Sequence, residues 1–407
     1  MLTNRREFLS TTAAATVVGL SSQIPWFLRR AAAVEADTDG ENILVIVQLS
    51  GGNDGLNTVI PYGDDAYHRN RFSLGYRANA VLKIDDYHGL HPAMRGFADL
   101  LEAGELSIIQ GVGYPRPNRS HFESMDIWHT ALRDVPSLAT GWLGRGLDIA
   151  KRTGGDLPAM HFGGEVQPLA LRGRDVAVPS LRSLESFRLD TGGDQRLKQT
   201  IREAASARRD NGNDLLSFLQ ANTTAALHAA DRLEQAAKSD RGAARYPGTD
   251  LARKLKSIAQ LIHAGLNTRI YYVTLDGFDT HSNQRDAHAG LLGELSGAVA
   301  AFLKDVQEQG HGERVLVMTF SEFGRRVKEN ASNGTDHGAA APMFLAGHRA
   351  IGGLMGEHPS LTELDDGDVK FHTDFRRVYA GVLSQWLTWD AAALIGKEYA
   401  PLDVVKA

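Results

Sequence analysis

Several residues that can bind metal ions or attack esters occur in short clusters along the sequence. Each cluster borders an apolar run of strand length, such as residues 315–320. Apolar runs of this length that contain β-branched residues predict buried strands. In open α/β sheets, ligands bind beyond the carboxyl ends of the strands, so we expect the clusters to meet at one edge of a sheet. The residues are Asp54, Ser120 with His121, Asp279 with His281, Glu322, and Asp336 with His337.

The chain contains no cysteine, which narrows the chemistry of any metal site. Disulfides, thiolate nucleophiles and thiolate ligands are excluded, so a metal must be held by His, Asp, Glu or Ser. Asp276, Asp279 and His281 lie within six positions after a predicted strand, a grouping typical of metal ligands. The alternative is a loop in which these residue types coincide by chance.

Asp54 follows residues 43–49, a nearly unbroken apolar run that predicts a central parallel strand. Gly51 and Gly52 permit a tight turn that brings the carboxylate to the strand tip. The alternative is an ordinary solvent turn, because Gly, Asn and Asp are common in turns for conformational reasons.

Ser120 has two interpretations. With Glu123 it forms a Ser-x-x-Glu pattern, which predicts a capping box at the start of a helix. Alternatively, its hydroxyl lies in the positive field of the helix N-terminus, which stabilises an alkoxide or a bound phosphate oxygen. Both interpretations remain open at this point.

Apolar periodicity predicts the elements that position these residues. A helix is expected after His91 and before Gly104, and the C-terminal part contains a hairpin near residues 352–353 and a helix capped by Thr373 or Asp374. Residues 196–264 predict a helical insertion of two or three surface helices, which forms a cap or an interface. The predicted strands are residues 43–49, 106–112, 270–275, 315–320 and 343–346, with short strands near 158–162 and 176–178.

The composition is that of a soluble globular protein. The chain has 407 residues, of which 43% are hydrophobic and 23% charged. The formal net charge of -5 gives no basic surface for nucleic acid, so nucleic acid is not an expected partner. No stable membrane span is expected.

The N-terminus resembles a twin-arginine export signal. Arg5 and Arg6 precede Phe8-Leu9 and a weakly apolar run, and Ala31-Ala32-Ala33 is typical of a cleavage site. The apolar run is shorter than the roughly 20 residues of a spanning helix. Residues 1–33 are therefore expected to be a signal peptide, with the twin-arginine translocase as a partner and a periplasmic or secreted location. A disordered arm or a membrane anchor is the alternative.

The order of the clusters is similar to that of the alkaline phosphatase and sulfatase superfamily. More closely, the chain resembles an exported group called domain of unknown function 1501. This resemblance implies an α/β fold with a mostly parallel sheet and helices on both faces, in one domain over residues 34–407. The resemblance rests on short sequence motifs at residues 5–9, 51–55, 119–122, 277–281 and 335–338.

The resemblance also implies ligands for one or two divalent metal ions, from among Zn, Mn, Mg and Ca. Asp279, His281 and His337 would hold one ion, and Asp54 and Glu322 the other. Two metals would lower the pKa of the nucleophile and stabilise the attacking and leaving oxygens.

Ser120 would be the nucleophile in this scheme. Asn118, Arg119 and His121 would contact the transferred anion, Arg119 by the bidentate geometry that suits phosphate or sulfate.

Two features depart from the superfamily pattern. Glu322-Phe323 stands where the superfamily has Asp-His, which removes an imidazole that His121 or Asp336 would have to replace. Ser120 also lacks the Cys/Ser-x-Pro-x-Arg context of a formylglycine site, which disfavours standard sulfatase chemistry.

The sequence therefore predicts an exported metal-dependent hydrolase of phosphate or sulfate esters, small or polymeric. The alternative is a non-catalytic binding or assembly protein of the envelope that keeps the fold. A redox enzyme is disfavoured, because the first strand is not followed by a Gly-x-Gly-x-x-Gly fingerprint and no cysteine is present for an iron–sulfur cluster.

Overall fold

The computed structural model describes residues 41–136, 139–150, 158–176, 178–182 and 244–406. The strands are β1 (Ile43–Ser50), β2 (Val59–Ile60), β3 (Leu82–Lys83), β4 (Gly89–Leu90), β5 (Leu106–Gly113), β6 (Ala159–Phe162), β7 (Ser180–Leu181), β8 (Ile270–Asp276), β9 (Val315–Ser321), β10 (Ala341–Ala346), β11 (Gly353–Met355) and β12 (Thr373–Asp374). The α-helices are α1 (Asp65–Asn70), α2 (Arg95–Glu102), α3 (His121–Thr130), α4 (Trp142–Ile149), α5 (Asp250–His263), α6 (Gln284–Glu308), α7 (Phe375–Gly381) and α8 (Ala391–Ile395).

The large sheet is mostly parallel. Its order is β11-β5-β10-β9-β1-β8-β6-β7, and β12 pairs with β5. β10 is antiparallel to β9 and β5, whereas every other pair in this described sheet is parallel. A second sheet of the short strands β2, β4 and β3 is antiparallel.

Helices cover both faces of the large sheet. In β1, Val45 and Val47 pack with α2, α5 and α6 in one core cluster, whereas Leu44 and Ile46 pack with α3, α4 and α7 in another. Burial on both faces explains why the parallel strands are continuous apolar runs. The predicted fold class is confirmed.

The five longer predicted strands are confirmed within one or two residues, and so is the strand near residues 158–162. Asp374 caps α7 by accepting a hydrogen bond from the backbone of Arg376. The predicted hairpin near residues 352–353 is wrong, because β10 and β11 pair with opposite edges of β5. Positive backbone angles at Gly352 and Gly353 instead let the chain cross the end of that strand.

Some predictions fall wholly or partly outside the described residues. These are the signal peptide, residues 1–33, and most of the helical insertion, residues 196–243. The described end of the insertion contains α5, which packs its apolar face against α6 and the sheet and so belongs to the core. None of the helices in the described ranges is long and apolar enough to cross a membrane.

The central parallel strands end at the same level. Ser50 of β1 pairs with Asp276 of β8, and Leu49 pairs with Ser321 of β9. The segments that follow these three strands therefore emerge side by side. Because β10 runs in the opposite direction, the segment before it reaches the same edge, and α3 also begins there after β5.

Candidate metal centre

Three side chains from distant parts of the chain converge at this edge. His121 begins α3, Asp279 follows β8, and His337 precedes β10. One ligand atom from each lies within 4.8 Å of the others. Nε2 of His337 is 3.1 Å from Oδ1 of Asp279, and Nε2 of His121 is 3.4 Å from Oδ2.

His281 adds a third imidazole to this group. Its Nε2 lies 3.1 Å from Oδ1 of Asp279 and 2.9 Å from Nε2 of His337. Three Nε2 atoms therefore surround one carboxylate. We call His121, Asp279, His281 and His337 the histidine–aspartate centre.

The Nδ1 atom of each imidazole faces an oxygen outside the centre. Nδ1 of His121 is 2.9 Å from Oε1 of Glu322, and Nδ1 of His281 is 3.3 Å from Oδ1 of Asp336. Nδ1 of His337 is 2.9 Å from the carbonyl oxygen of Arg119. Carbonyl and carboxylate oxygens accept hydrogen bonds, so each Nδ1 donates and each neutral imidazole keeps its Nε2 lone pair for the centre.

This arrangement fits a metal ion. Nε2 of His121 is buried and has no hydrogen-bond partner among the described residues. The Nε2 atoms of His281 and His337 face each other at 2.9 Å, where two lone pairs repel unless a proton or a cation lies between them. Histidine ligands whose other nitrogen donates to a carboxylate or carbonyl are the usual form in metal sites.

Electrostatics keep Asp279 ionised. Burial raises the pKa of Asp279, but the guanidinium of Arg325 and, next to it, the contact with His337 outweigh burial and lower the pKa to about 2. The hydrogen bond to Glu322 raises the pKa of His121, against the effect of burial. Burial lowers the pKa of His337, against its contact with the Asp279 carboxylate and its hydrogen bond to the Arg119 carbonyl.

Arg325 was not predicted from the sequence, yet it joins the segments of the centre. Its fully buried guanidinium lies 2.7 Å from Oδ1 of Asp279 and donates to the carbonyl oxygens of Gly51, Gly52, Phe278 and Thr335. The available signal was a charged residue four positions after the end of a buried strand.

Gly51 permits the close approach of two of these segments. Its φ is +115°, and a Cβ atom there would lie 2.4 Å from the backbone nitrogen of Asp279. Only glycine fits this position, which explains why the sequence carries glycine directly after β1.

Asp54 lies outside the histidine–aspartate centre. It is fully buried, and the guanidinium of Arg71 binds both of its carboxylate oxygens while Gln284 donates to one of them. Burial raises the pKa of Asp54, but Arg71 outweighs burial and the pKa is lowered. Asp54 is therefore an ion-pair partner in this arrangement, and Arg71 was not predicted.

A family model described as "Protein of unknown function (DUF1501)" matches residues 41–380. The chain belongs to the DUF1501 family. No curated protein matches it.

Among solved structures, this DUF1501 chain is similar to the C-terminal periplasmic domain of EcEptC from Escherichia coli, in complex with Zn. The sequence identity is 10% and the TM-score is 0.39, over 77% of this chain and 75% of the other. It is also similar to the PsFucS1 sulfatase from Pseudoalteromonas sp., at 11% identity and a TM-score of 0.36, over 99% and 75% of the two chains. No residue role is taken from likenesses at these values.

Glu322 and Asp336 support the imidazoles of this DUF1501 chain from outside the centre. Besides binding His121, buried Glu322 accepts hydrogen bonds from the backbone of Gly51 at 2.8 Å and from the hydroxyl of Ser321 at 3.0 Å. Asp336 is exposed and binds His281 and Asn330. Both residues were predicted as metal ligands. In the structure their carboxylates contact the Nδ1 atoms of His121 and His281, on the side of each ring that faces away from the centre. His121, predicted to contact the anion or to replace the missing imidazole, lies in the group of candidate ligands.

The residues before α3 differ from the predictions in their contacts. The guanidinium of Arg119 binds Asp366 and Asp368, with nitrogen–oxygen distances of 3.0 and 2.6 Å, so it is not available as an anion clamp in this arrangement. The predicted capping box is wrong: Ser120 is at the cap position, but within the described chain its hydroxyl makes no capping hydrogen bond. Asn118 binds Glu123 and the backbone of Ser120 instead.

Proposed function

We propose that this DUF1501 protein is a metal-dependent hydrolase of phosphate or sulfate esters. The observation that carries the proposal is the convergence of three oriented Nε2 atoms on the Asp279 carboxylate. Hydrogen-bond donors and cations that stabilise developing negative charge are the main requirement of ester hydrolysis. The alternative, a non-catalytic binding or assembly protein of the envelope, is an outcome of the experiment below.

The donor set favours one zinc ion. Imidazole nitrogens suit zinc, whereas magnesium, calcium and manganese prefer oxygen ligands. His121, Asp279 and His337 offer three ligand atoms within 4.8 Å of one another, which leaves the fourth position of a tetrahedral catalytic ion open to substrate, with His281 beside them. Asp54, proposed from the sequence for a second ion, is neutralised by Arg71, so one ion suffices.

A bound ion would supply Lewis-acid polarisation of the ester oxygen. Ser120 remains the proposed nucleophile. It directly precedes His121 and lies at the N-terminus of α3, whose field favours the deprotonated hydroxyl. In this step the Ser120 hydroxyl gives its proton to water, its oxygen forms a bond to phosphorus or sulfur, the bond to the ester oxygen breaks, and the departing alcohol takes up a proton from water. The second half of the cycle transfers the group to water.

An open cleft beside the centre is the proposed substrate site. It has a volume of 1510 Å³ and is lined by His121, Asp279, Glu322 and Asn118, with arginines and acidic groups further out. Pockets for small molecules measure about 300–1,000 Å³, so this cleft has room for a polymeric as well as a small ester. Its lining includes three arginines, Arg116, Arg133 and Arg172, and six carboxylates, so an anionic group of the substrate would have to bind beside the arginines or the bound ion.

Export through the twin-arginine route is part of the proposal. The paired arginines and the apolar run of residues 1–33 support it, with a transient contact to the translocase and a periplasmic or secreted location.

The test combines metal analysis with ester turnover on the purified protein. We expect about one zinc per chain and release of p-nitrophenol from its phosphate or sulfate ester. Ser120→Ala should abolish turnover and keep the metal, whereas Asp279→Asn should lose both. Asp276→Asn is the matched control, because Asp276 is an exposed carboxylate three residues earlier that also lines the cleft. A protein without metal and without turnover on any ester would support the non-catalytic alternative.

A further inference from the structure

A second pair of histidines lies away from the centre and shares no residue with it. His88 lies in the turn between β3 and β4, and His358 follows β11. Their ring centroids are 5.0 Å apart, and the ring planes meet at 67°. His88 is 9% exposed and His358 is half-buried.

Both imidazoles are oriented through Nδ1. Nδ1 of His88 is 3.0 Å from Oδ2 of Asp85, whose other oxygen binds the backbone nitrogens of Tyr87 and His88. Nδ1 of His358 is 3.3 Å from Oε1 of Gln110. The amide of Gln110 is fixed because its Nε2 donates to the carbonyl oxygen of Gly356, so Oε1 is the atom that faces His358. Each Nδ1 therefore donates.

The two Nε2 atoms are left without partners. Both are buried, and neither has a hydrogen-bond partner within the described ranges. Burial, and next to it the neighbouring His88, lower the pKa of His358 to about 4, so His358 is neutral at physiological pH and its Nε2 carries a lone pair. A buried nitrogen lone pair without a hydrogen-bond donor is unfavourable. The two Nε2 lone pairs of these neighbouring rings would both be satisfied by a proton donor or by a cation.

The spacing of the rings fits a shared metal ion. Two imidazoles bound through Nε2 at about 2.0–2.1 Å, and at a tetrahedral angle, have ring centroids about 5 Å apart. The carboxylates of Asp64 and Asp85 act against the burial that lowers the pKa of His358, so these two groups favour a cation near the ring. Imidazole pairs suit copper, nickel and zinc rather than magnesium or calcium.

We propose that His88 and His358 form a second metal site for a first-row transition ion such as Cu²⁺, with exogenous ligands completing the shell. The turn at residues 84–88 and the fixed amide of Gln110 hold the two imidazoles ready for the ion, and His358 is the more exposed of the two residues. The site is independent of the proposed hydrolase activity.

The probe is Cu²⁺, which binds nitrogen sites most tightly among these ions. The full-length protein is stripped with a chelator, and Cu²⁺ binding is measured by equilibrium dialysis against glycine buffer, which removes weakly held copper. The background carries Asp279→Asn together with His281→Ala and His337→Ala, because Asp279→Asn alone leaves the three imidazoles of the histidine–aspartate centre able to bind copper. In this background we expect a remaining copper ion that His88→Gln or His358→Ala weakens by about tenfold or more, and an electron paramagnetic resonance spectrum with two nitrogen couplings.

The control is His348→Ala, which removes an exposed imidazole bound to Glu105 and Glu313 and should leave copper binding unchanged. His88→Gln retains a donor for Asp85, and circular dichroism verifies that each variant is folded. Copper binding that is equal with and without His88 and His358 overturns the proposal, since a water molecule then satisfies the two nitrogens. If the unaltered protein hydrolyses no ester while this copper ion still binds, the proposed function alone is overturned.

Discussion

Asp54 and Asp279 follow neighbouring parallel strands, and each contacts a guanidinium, yet their surroundings are opposite. Arg71 binds both oxygens of Asp54, and both side chains are fully buried. Arg325 binds one oxygen of Asp279, whose side chain is 48% exposed and whose other oxygen faces His121. A carboxylate at the end of one of these strands is thus available to a metal ion or a substrate only when the paired arginine leaves one carboxylate oxygen free.

The largest effect is expected from breaking the Asp54–Arg71 pair. Asp54→Ala leaves the guanidinium buried without its counter-charge, which costs about 3–5 kcal/mol of unfolding free energy. Urea denaturation of the metal-free protein measures the loss. Asp276→Ala, which removes an exposed carboxylate at the end of β8, is the control and should change stability by less than about 0.5 kcal/mol. A similar small change for Asp54→Ala would contradict the role assigned to the pair.

Asp279→Asn should have a large effect on metal affinity and a small effect on stability, the reverse of Asp54→Ala. Zinc affinity, measured by competition with a chromogenic chelator, should fall by more than about 100-fold, since a ligand contributes more than its supporting groups do. The unfolding free energy of the metal-free protein should change by no more than about 1 kcal/mol, because the Asp279 side chain is half-exposed and the substituted amide still offers Arg325 an oxygen. Unchanged zinc affinity would remove Asp279 from the centre.

The supporting carboxylates should have smaller effects on metal binding, and unequal ones. Glu322→Gln weakens the orientation of His121 and should lower zinc affinity by about 10–100-fold. Asp336→Asn should have less effect, because Asp336 is exposed and its contact with His281 is longer, at 3.3 Å against 2.9 Å. If Asp336→Asn lowers zinc affinity more than Glu322→Gln does, Asp336 is itself a metal ligand.

The smallest effect concerns pH. The hydrogen bond to Glu322 raises the pKa of His121, so in the metal-free protein this pair contributes stability that is fully present below the unfolded pKa of histidine and is lost as pH rises through the folded pKa. Nuclear magnetic resonance titration should therefore give His121 a midpoint above about 6.5, and Glu322→Gln should lower it. A midpoint that Glu322→Gln does not change would assign the shift to another group.

Sequence patterns could predict the strands and three members of the centre, because both depend on local signals. Buried parallel strands are apolar throughout, and Asp279, His281 and His337 lie next to such strands. The partner of Asp54 could not be predicted, since Arg71 comes from a turn-rich segment without periodicity and reaches Asp54 only through tertiary packing. For the same reason, the sequence did not separate candidate ligands from supporting residues. His121 faces the centre and Glu322 lies behind it at hydrogen-bond distance, and no spacing along the sequence indicates which of the two is closer to the ion.

The reversed direction of β10 has a consequence for how this protein can diversify. Residues 322–340 leave the sheet after β9 and return to it at the same edge, and backbone bridging between Arg325 and His337 closes this connection near its base. The outer part of the loop, residues 327–334, also supports the site: the carbonyl oxygen of Val327 accepts a hydrogen bond from Arg71, and Asn330 donates to the carbonyl oxygen of His281. A change in this outer part would therefore shift the supports of Arg71 and His281, while the register of β9 and β10 stays fixed by their own pairing.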